Sequence, residues 1–248
     1  MNPYETDELV AQYMEFHYGD SYFGVENYPA KCAELCLKLM DEDQKGKALD
    51  LGCAVGRTSF ELAREFEQVA GIDLSSRFIE NALQLKEEGS LSYRIAREGE
   101  LVTPRQADLS RLQLDHVKDR VSFYQGDACR LSDRHRGYDL VFAGNLIDRL
   151  YDPRQFLSSV HQYLTRGGVL VISSPYTLLT EYTPRENWLG GYIENGVEVR
   201  MLDGIKKVLE PHFVLIEEPV DVPFVIRETG RKFQHTLAEL SCWRYINV

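Results

Sequence analysis

Residues 47–56, KALDLGCAVG, followed by residues 69–73, VAGID, carry the reading of the fold. Each is a short apolar run closed by turn residues. Between them Phe60, Leu62, Ala63 and Phe66 recur at a spacing that puts them on one side of a helix over Thr58–Phe66. Strand, glycine turn, helix and strand make a parallel βαβ unit, and Gly52 and Gly56 in the turn let a ligand come close to the main chain. Working outward, Ser75 is placed to cap a helix that reaches Glu88, and Val121–Gln125, Tyr138–Ala143 and Val169–Ser173 read as further strands. Pro153–Leu164 supplies the helix between the last two strands, with Asp152 as N-cap and Pro153 at the first position. Pro29–Met40 is an amphipathic helix on the amino side. On the carboxyl side Asp203–Leu209 looks helical, and Phe213–Glu217 and Leu240–Ile246 are candidate closing strands. The expected class is α/β, a doubly wound and mostly parallel sheet with its ligand crevice at the carboxyl ends of the strands.

Two stretches interrupt the rhythm. Ser90–Asp119 is polar with scattered apolar residues and reads as a surface insertion. Tyr176–Glu198 has little periodicity but is rich in aromatics and glycine, and its place after the fifth strand makes it a candidate wall of the active site. No repeat or linker divides the chain, so one domain over 1–248 is expected. It comprises an N-terminal helical cap (1–46), a cofactor core (47–175), and substrate loops with closing strands (176–248).

Twenty-eight Lys and Arg against 39 Asp and Glu give a net charge of −11 without a basic cluster, which argues against nucleic-acid or anionic-membrane partners. The start lacks a basic segment followed by an apolar run, and no window approaches 18 uncharged apolar residues, so a soluble cytoplasmic protein is expected. The five cysteines, at 32, 36, 53, 129 and 242, are odd in number and dispersed, unlike a disulfide framework. Cys32 and Cys36 face one side of a helix with no further ligands nearby in sequence, which favours buried thiols, and no metal is expected.

The acid at the end of the second strand, Asp73, is placed to accept both hydroxyls of a ribose. A dinucleotide fingerprint would need glycines at the first, third and sixth places, where this chain has Gly52, Ala54 and Arg57. The pattern Asp50-x-Gly52-x-Ala54-x-Gly56 instead resembles motif I of the Rossmann-like S-adenosylmethionine methyltransferases. Gly126-Asp127-Ala128 follows the third strand, where that superfamily bonds the adenine, and Asn145 follows the fourth, close to the transferred methyl. The resemblance implies a class I methyltransferase fold. It also implies a cofactor, S-adenosylmethionine, released as S-adenosylhomocysteine and held by Asp50, Gly52, Cys53, Gly56, Asp73, Leu74, Asp127, Ala128 and Asn145.

Longer segments are similar to one family. LDLGCAVGRTSFELA, NLIDRLYDPRQFL, SSPYTLLTEYTPRENWLGGY and DVPFVIRETGRKFQHTLAELSCWR resemble the 4-mercaptohistidine N1-methyltransferase domain of ovothiol biosynthesis, over about Tyr22 to Arg244. That domain is usually fused behind a sulfoxide synthase. The chain is therefore expected to act free-standing, on a thiol-histidine made by a separate synthase or lyase. Tyr22, Arg149, Tyr176, Tyr182, Arg185, Trp188 and Arg227 are the expected substrate contacts, offering aromatic faces and planar donors for an imidazole and an amino-acid carboxylate. Asn145, Asp148 and His235 are the catalytic candidates, fixing the tautomer that presents an unprotonated ring nitrogen. Asp148 and Arg149 are not expected to pair, since neighbouring side chains diverge on a helix. Arg227, Glu228, Lys232, Gln234 and His235 are expected on a last loop. A methyltransferase for another small aromatic amine or acid, a non-catalytic S-adenosylmethionine-binding protein and a dehydrogenase remain as alternatives.

Overall fold

In the computed structural model, which describes residues 3–132 and 134–246, the chain runs α1 (Asp7–Tyr18), α2 (Tyr28–Lys38), β1 (Lys47–Leu51), α3 (Arg57–Leu62), β2 (Gln68–Asp73) and α4 (Ser76–Glu88). It continues through β3 (Ser90–Glu98), β4 (Leu101–Asp108), β5 (Val121–Gln125), β6 (Tyr138–Gly144), α5 (Pro153–Ser159) and β7 (Leu164–Ser174). Last come β8 (Tyr192–Glu194), β9 (Val197–Val199), α6 (Met201–Leu209), β10 (Phe213–Leu215), β11 (Val220–Arg227) and β12 (Phe233–Tyr245).

The main sheet has the order β10-β12-β7-β6-β1-β2-β5, with β11 on β12. β1, β2, β5, β6 and β7 pair in parallel, whereas β12 is antiparallel to β7 and β10. The parallel strands read as near-continuous apolar runs because both faces are covered, successive residues going to opposite cores. On β6, Leu140 and Phe142 join the core that holds α2, α3 and α4 residues, while Val141 and Ala143 join the one that holds α5 and α6 residues. Order and direction together are those of a Rossmann-like, doubly wound class I sheet. The expected caps are made: Ser75 Oγ accepts from Phe78 N at 3.2 Å, and Asp152 Oδ1 from Gln155 N at 2.9 Å.

Elsewhere the structure corrects the sequence reading. Ser90–Asp119 is not an irregular insertion: β3 and β4 form an antiparallel hairpin that buries Tyr93, Ile95 and Ala107 and leaves charged residues outside. The N-terminal segment contains α1, which the reading had only as part of a cap. The helix expected over Pro153–Leu164 ends at Ser159, passes through a 3₁₀ turn over Val160–Tyr163, and gives way to β7 at Leu164. The expected last loop is a ribbon. Arg227 ends β11, Gln234 and His235 lie on β12, and Glu228 and Lys232 belong to the turn that joins the two strands.

Candidate active site

The turn after β1 takes left-handed backbone angles at Gly52, Ala54 and Gly56, with φ of 72°, 46° and 87°. At Gly56 a Cβ would lie 2.4 Å from the Phe123 ring, so glycine is required for space as well as for angle. Gly52 N and Cys53 N donate to Ile72 O at 2.8 and 3.1 Å, tying the turn to the end of β2. Asp73 accepts one backbone hydrogen bond on each oxygen, Ala54 N to Oδ2 at 2.9 Å and Ser75 N to Oδ1 at 2.8 Å. A carboxylate has about two acceptor sites per oxygen, so Asp73 keeps acceptor capacity beyond these bonds, as contact to a vicinal diol requires. Burial raises the pKa of Asp73, and the backbone N–H groups of Ser75, Ala54 and Leu74 oppose the shift. Asp50 lies beneath the turn, 1% exposed, and accepts from Ser59 Oγ at 2.6 Å; burial pushes its pKa up to about 7.

Beyond β5, Gly126 N donates to Asp73 O at 2.9 Å, and Asp127 closes a turn by accepting from Cys129 N at 2.9 Å. Ala128 is buried and Leu74, at 61% exposure, is open at the rim. The Asp50–Gly56 turn, Asp73, Leu74 and the 126–128 turn thus lie along one edge, at the carboxyl ends of adjacent strands β1, β2 and β5.

Asn145, at the end of β6, has φ of 50°, and Tyr176, after β7, has φ of 52°. Both angles cost free energy for residues with a Cβ, and such strain gathers where structure serves a site. The Tyr28 hydroxyl, at the start of α2, lies 3.0 Å from Asn145 Oδ1 and 2.7 Å from Ser173 Oγ. Asp148 is 1% exposed. Its Oδ2 accepts from Arg149 Nη1 at 2.8 Å and Thr177 N at 3.1 Å, while its Oδ1 is buried without a hydrogen-bond partner. The expected absence of an Asp148–Arg149 pair is corrected. The two residues sit in a 3₁₀ turn, and Arg149 folds back to donate to Asp148 O and Thr177 O as well. Burial raises the pKa of Asp148, and the Arg149 guanidinium, the Ser174 hydroxyl and the Thr177 N–H oppose it. Arg149 also stacks over Tyr182, 4.9 Å from its centroid.

Tyr176 donates from its hydroxyl to Glu239 Oε1 at 2.8 Å. Tyr22 and Arg227 are brought together, Arg227 Nη1 donating to the Tyr22 hydroxyl at 3.1 Å. Their meeting place is the buried Glu15 of α1, which also takes a 2.6 Å bond from the Tyr93 hydroxyl. Arg185 is exposed and packs over Trp188 and Tyr192, and Trp188 Nε1 donates to Thr183 O, so this pair is engaged with its own loop. His235 is exposed on β12 opposite Val225, four residues from Glu239, or roughly 13 Å along a strand.

Sequence reasoning expects an N-terminal helical cap over 1–46 but does not name the residues by which it meets the crevice. Ser75 Oγ donates to Tyr4 O at 3.1 Å, and Ser76 N to Glu5 Oε1 at 3.0 Å. Tyr13 packs on Phe78 with centroids 4.8 Å apart. On the other side His17 Nδ1 accepts from Arg57 N at 3.3 Å, and the Tyr18 hydroxyl donates to Val55 O at 2.7 Å. Burial lowers the pKa of His17 to about 3, keeping the ring neutral as that acceptor role requires. The available signal was the density of Tyr and Phe in residues 4–28. A cavity of about 500 Å³ lies between the C-terminal end of α1 and the β3–β4 hairpin, lined by Tyr18, Asp20, Tyr93, Arg105 and Arg111. Cys32 and Cys36 are buried free thiols, Cys32 pushed up to about 12 by burial. Among the described residues no group of three His, Cys, Asp or Glu is disposed to hold a metal ion.

A doubly wound sheet with a glycine turn after β1 and an acid after β2 defines a Rossmann-like protein for a nucleoside-bearing cofactor. The model of the methyltransferase domain family matches residues 49–172, and the chain belongs to that family. It is an S-adenosylmethionine-dependent methyltransferase. No curated protein matches the sequence. Among solved structures, the N-methyltransferase NodS of Bradyrhizobium japonicum with S-adenosylhomocysteine shares 15% identity at a TM-score of 0.56, covering 98% of this chain and 100% of that one. A Pyrococcus horikoshii protein shares 20% at 0.53, covering 91% and 94%. The cyclase SpnF shares 14% at 0.57, covering 98% of each. At these identities the likeness is one of fold, and a cyclase among the neighbours shows that this fold does not fix the reaction.

Proposed function

We propose that this chain methylates an imidazole nitrogen of 5-mercaptohistidine, as ovothiol assembly requires. The observation that carries the reading is the buried Asp148 carboxyl, three residues after Asn145, whose Oδ1 makes no hydrogen bond of good geometry although the Ser174 hydroxyl lies near the group. An unpaired buried acceptor costs about 1–3 kcal/mol, and an imidazole N–H is a planar donor that satisfies it. S-adenosylmethionine fits the residues opposite: the remaining acceptor capacity of Asp73 would suit the ribose diol, Leu74 and Ala128 would flank the purine, Asp127 would take its amino group, and the Gly52–Gly56 turn would admit the methionine portion. When bound, it supplies a methyl group on a positively charged sulfur, which leaves as a neutral thioether.

The protein's part is alignment and proton management. Asp148 Oδ1 accepts the N–H of one ring nitrogen, fixing the tautomer so that the other nitrogen presents its lone pair. Its raised pKa suits it to take the proton that the ring gives up after transfer. Asn145, held through Tyr28 and Ser173, lines the transfer path, and Tyr182 with Arg149 forms a flat wall for the ring. Tyr22, Arg185, Trp188, Arg227 and His235 are engaged or exposed elsewhere in this arrangement and carry no part of the alignment. The substrate would come from a separate thiol-forming enzyme, a synthase or lyase. Five free cysteines fit a reducing compartment such as the cytoplasm, and no helix of the described residues is long and apolar enough to cross a membrane.

Mass spectrometry of the chain with S-adenosylmethionine and 5-mercaptohistidine tests the reading, which requires a gain of one methyl on the ring. Histidine in direct competition should be poorer by roughly a hundredfold, about 2.7 kcal/mol, because donors that meet the thiolate are then left unpaired. Equal methylation of both would remove the sulfur from the reading.

A further inference from the structure

Glu239 was in no sequence-derived set, yet the sheet delivers it to the candidate site. β12 runs antiparallel to β7 with Glu239 opposite Ser174, the last residue of β7, so its carboxylate emerges at the same edge as Asn145 and Asp148. Its one hydrogen bond comes from the Tyr176 hydroxyl at 2.8 Å, and among the described residues it enters no ion pair. Tyr176 belongs to the strained turn whose next residue, Thr177, donates its N–H to Asp148 Oδ2 at 3.1 Å. Burial raises the pKa of the Tyr176 phenol, and the hydrogen bond and charge of Glu239, with a smaller contribution from the charge of Asp148, raise it further. Two carboxylates therefore flank one phenol. Arg149 offsets the first; the second has no cation of its own. Arg200, exposed and outside any ion pair among the described residues, is the other cation whose field reaches the phenol.

Arg149 is spent on Asp148 and no cation is paired with Glu239 among the described residues, so a carboxylate without a counter-ion stands beside the nine-tenths-buried Asp148, whose Oδ1 makes no hydrogen bond. Such a place takes a donor-rich cation. Arg185 and Arg227, expected to hold a substrate carboxylate, are committed to Trp188 and to Glu15. The polar recognition built at this edge is thus for an ammonium.

We propose that Glu239, oriented by Tyr176, binds the protonated α-amino group of the substrate. This rests on the proposed function and deepens it. The substrate is an amine-bearing aromatic, and Glu239 is a specificity-determining residue rather than one that touches the reacting atoms. A chemical consequence follows for the site of methylation. An amine held as an ammonium against a carboxylate has no lone pair, so the methyl goes to the ring nitrogen instead.

The test compares two ligands on the full chain loaded with S-adenosylhomocysteine: histidine and imidazolepropionate, which lacks only the ammonium. Calorimetry should give wild type a preference for histidine of roughly 50-fold, with Glu239→Gln reducing the ratio to near 1 and Glu239→Asp restoring most of it. Glu239→Gln is isosteric and keeps an acceptor for Tyr176, and an unchanged S-adenosylhomocysteine affinity confirms a folded variant. A wild type that binds both alike or neither, or a Gln variant with the wild-type ratio, overturns the subsite. The mercaptohistidine assay separates the two readings. Preference without turnover refutes the substrate and leaves the subsite, whereas turnover with an unaltered ratio in Glu239→Gln refutes the subsite and leaves the substrate.

Discussion

Asp50 and Asp73 are both carboxylates near the ends of neighbouring parallel strands, and their surroundings give them different work. Asp73 takes hydrogen bonds from the backbone N–H groups of Ala54 and Ser75 at the rim of the crevice and keeps acceptor capacity beyond them. Replacing it by Ala should weaken S-adenosylhomocysteine binding by roughly 10- to 100-fold, about 1.5–3 kcal/mol for charge-assisted bonds, and calorimetry at wild-type affinity would refute the ribose assignment. Asp50 has the Ser59 hydroxyl and no cation, and burial moves its pKa from 3.8 to about 7. Its folded state holds a proton that the unfolded chain has released. Its contribution is therefore fully present below the unfolded value and is lost as pH rises through the folded one. Asp50→Asn, which keeps an acceptor for Ser59, should gain on wild type by up to about 1.4 kcal/mol per pH unit between roughly pH 4 and 7 and stay level above. Urea titrations across that range give the difference directly, and parallel curves would show that Asp50 is ionised throughout.

At the scale of elements, burial on both sides decides what the sequence discloses. β1, β2, β6 and β7 are readable because each carries a near-continuous apolar run, and α4 because Ser75 caps it locally. The same holds for the half of the site made by the Asp50–Gly56 turn and Asp73, whose chemistry lies within a few residues of a strand end. The hairpin β3–β4 is hidden because its outer face is charged and β4 carries Pro104, a residue that normally demotes a strand. α1 is hidden because Gln12, Glu15 and His17 break its apolar stripe, and Glu15 and His17 are held by tertiary hydrogen bonds. Tyr28 and Glu239 are missed for a related reason, since each meets its partner only after α2 and β12 have docked on the sheet. Glu15 ties α1 to the hairpin through Tyr93 and Arg105 and to the β11–β12 ribbon through Arg227. Glu15→Ala would strand those groups, at a cost of about 3–5 kcal/mol, or roughly 10 °C in melting temperature for a chain of this size. A loss under about 1 kcal/mol would mean that the three elements are held by their apolar contacts alone.

Over the whole molecule, the N-terminal segment spans the crevice from one bank to the other. Tyr4, Glu5 and Tyr13 meet the start of α4, while His17 and Tyr18 meet the turn after β1 and the start of α3. A ligand between Asp73 and Gly52 touches both banks and the underside of α1, so its binding energy should tighten the span more than the sheet. Hydrogen exchange with and without S-adenosylhomocysteine should show slower exchange in residues 7–18, 53–57 and 75–79. β10, at the opposite edge of the sheet, should change little. Ligand at a hundred times its dissociation constant adds about 2.7 kcal/mol to the folded state, which for this length raises the melting temperature by roughly 5–10 °C. In Asp73→Ala both effects should shrink together at equal ligand concentration. Protection spread evenly over all strands would place the ligand's stabilisation in the global unfolding equilibrium. Protection confined to 53–57 and 75–79, with α1 unchanged, would show that the cofactor sits without contact to the N-terminal helix, removing α1 from the cofactor site.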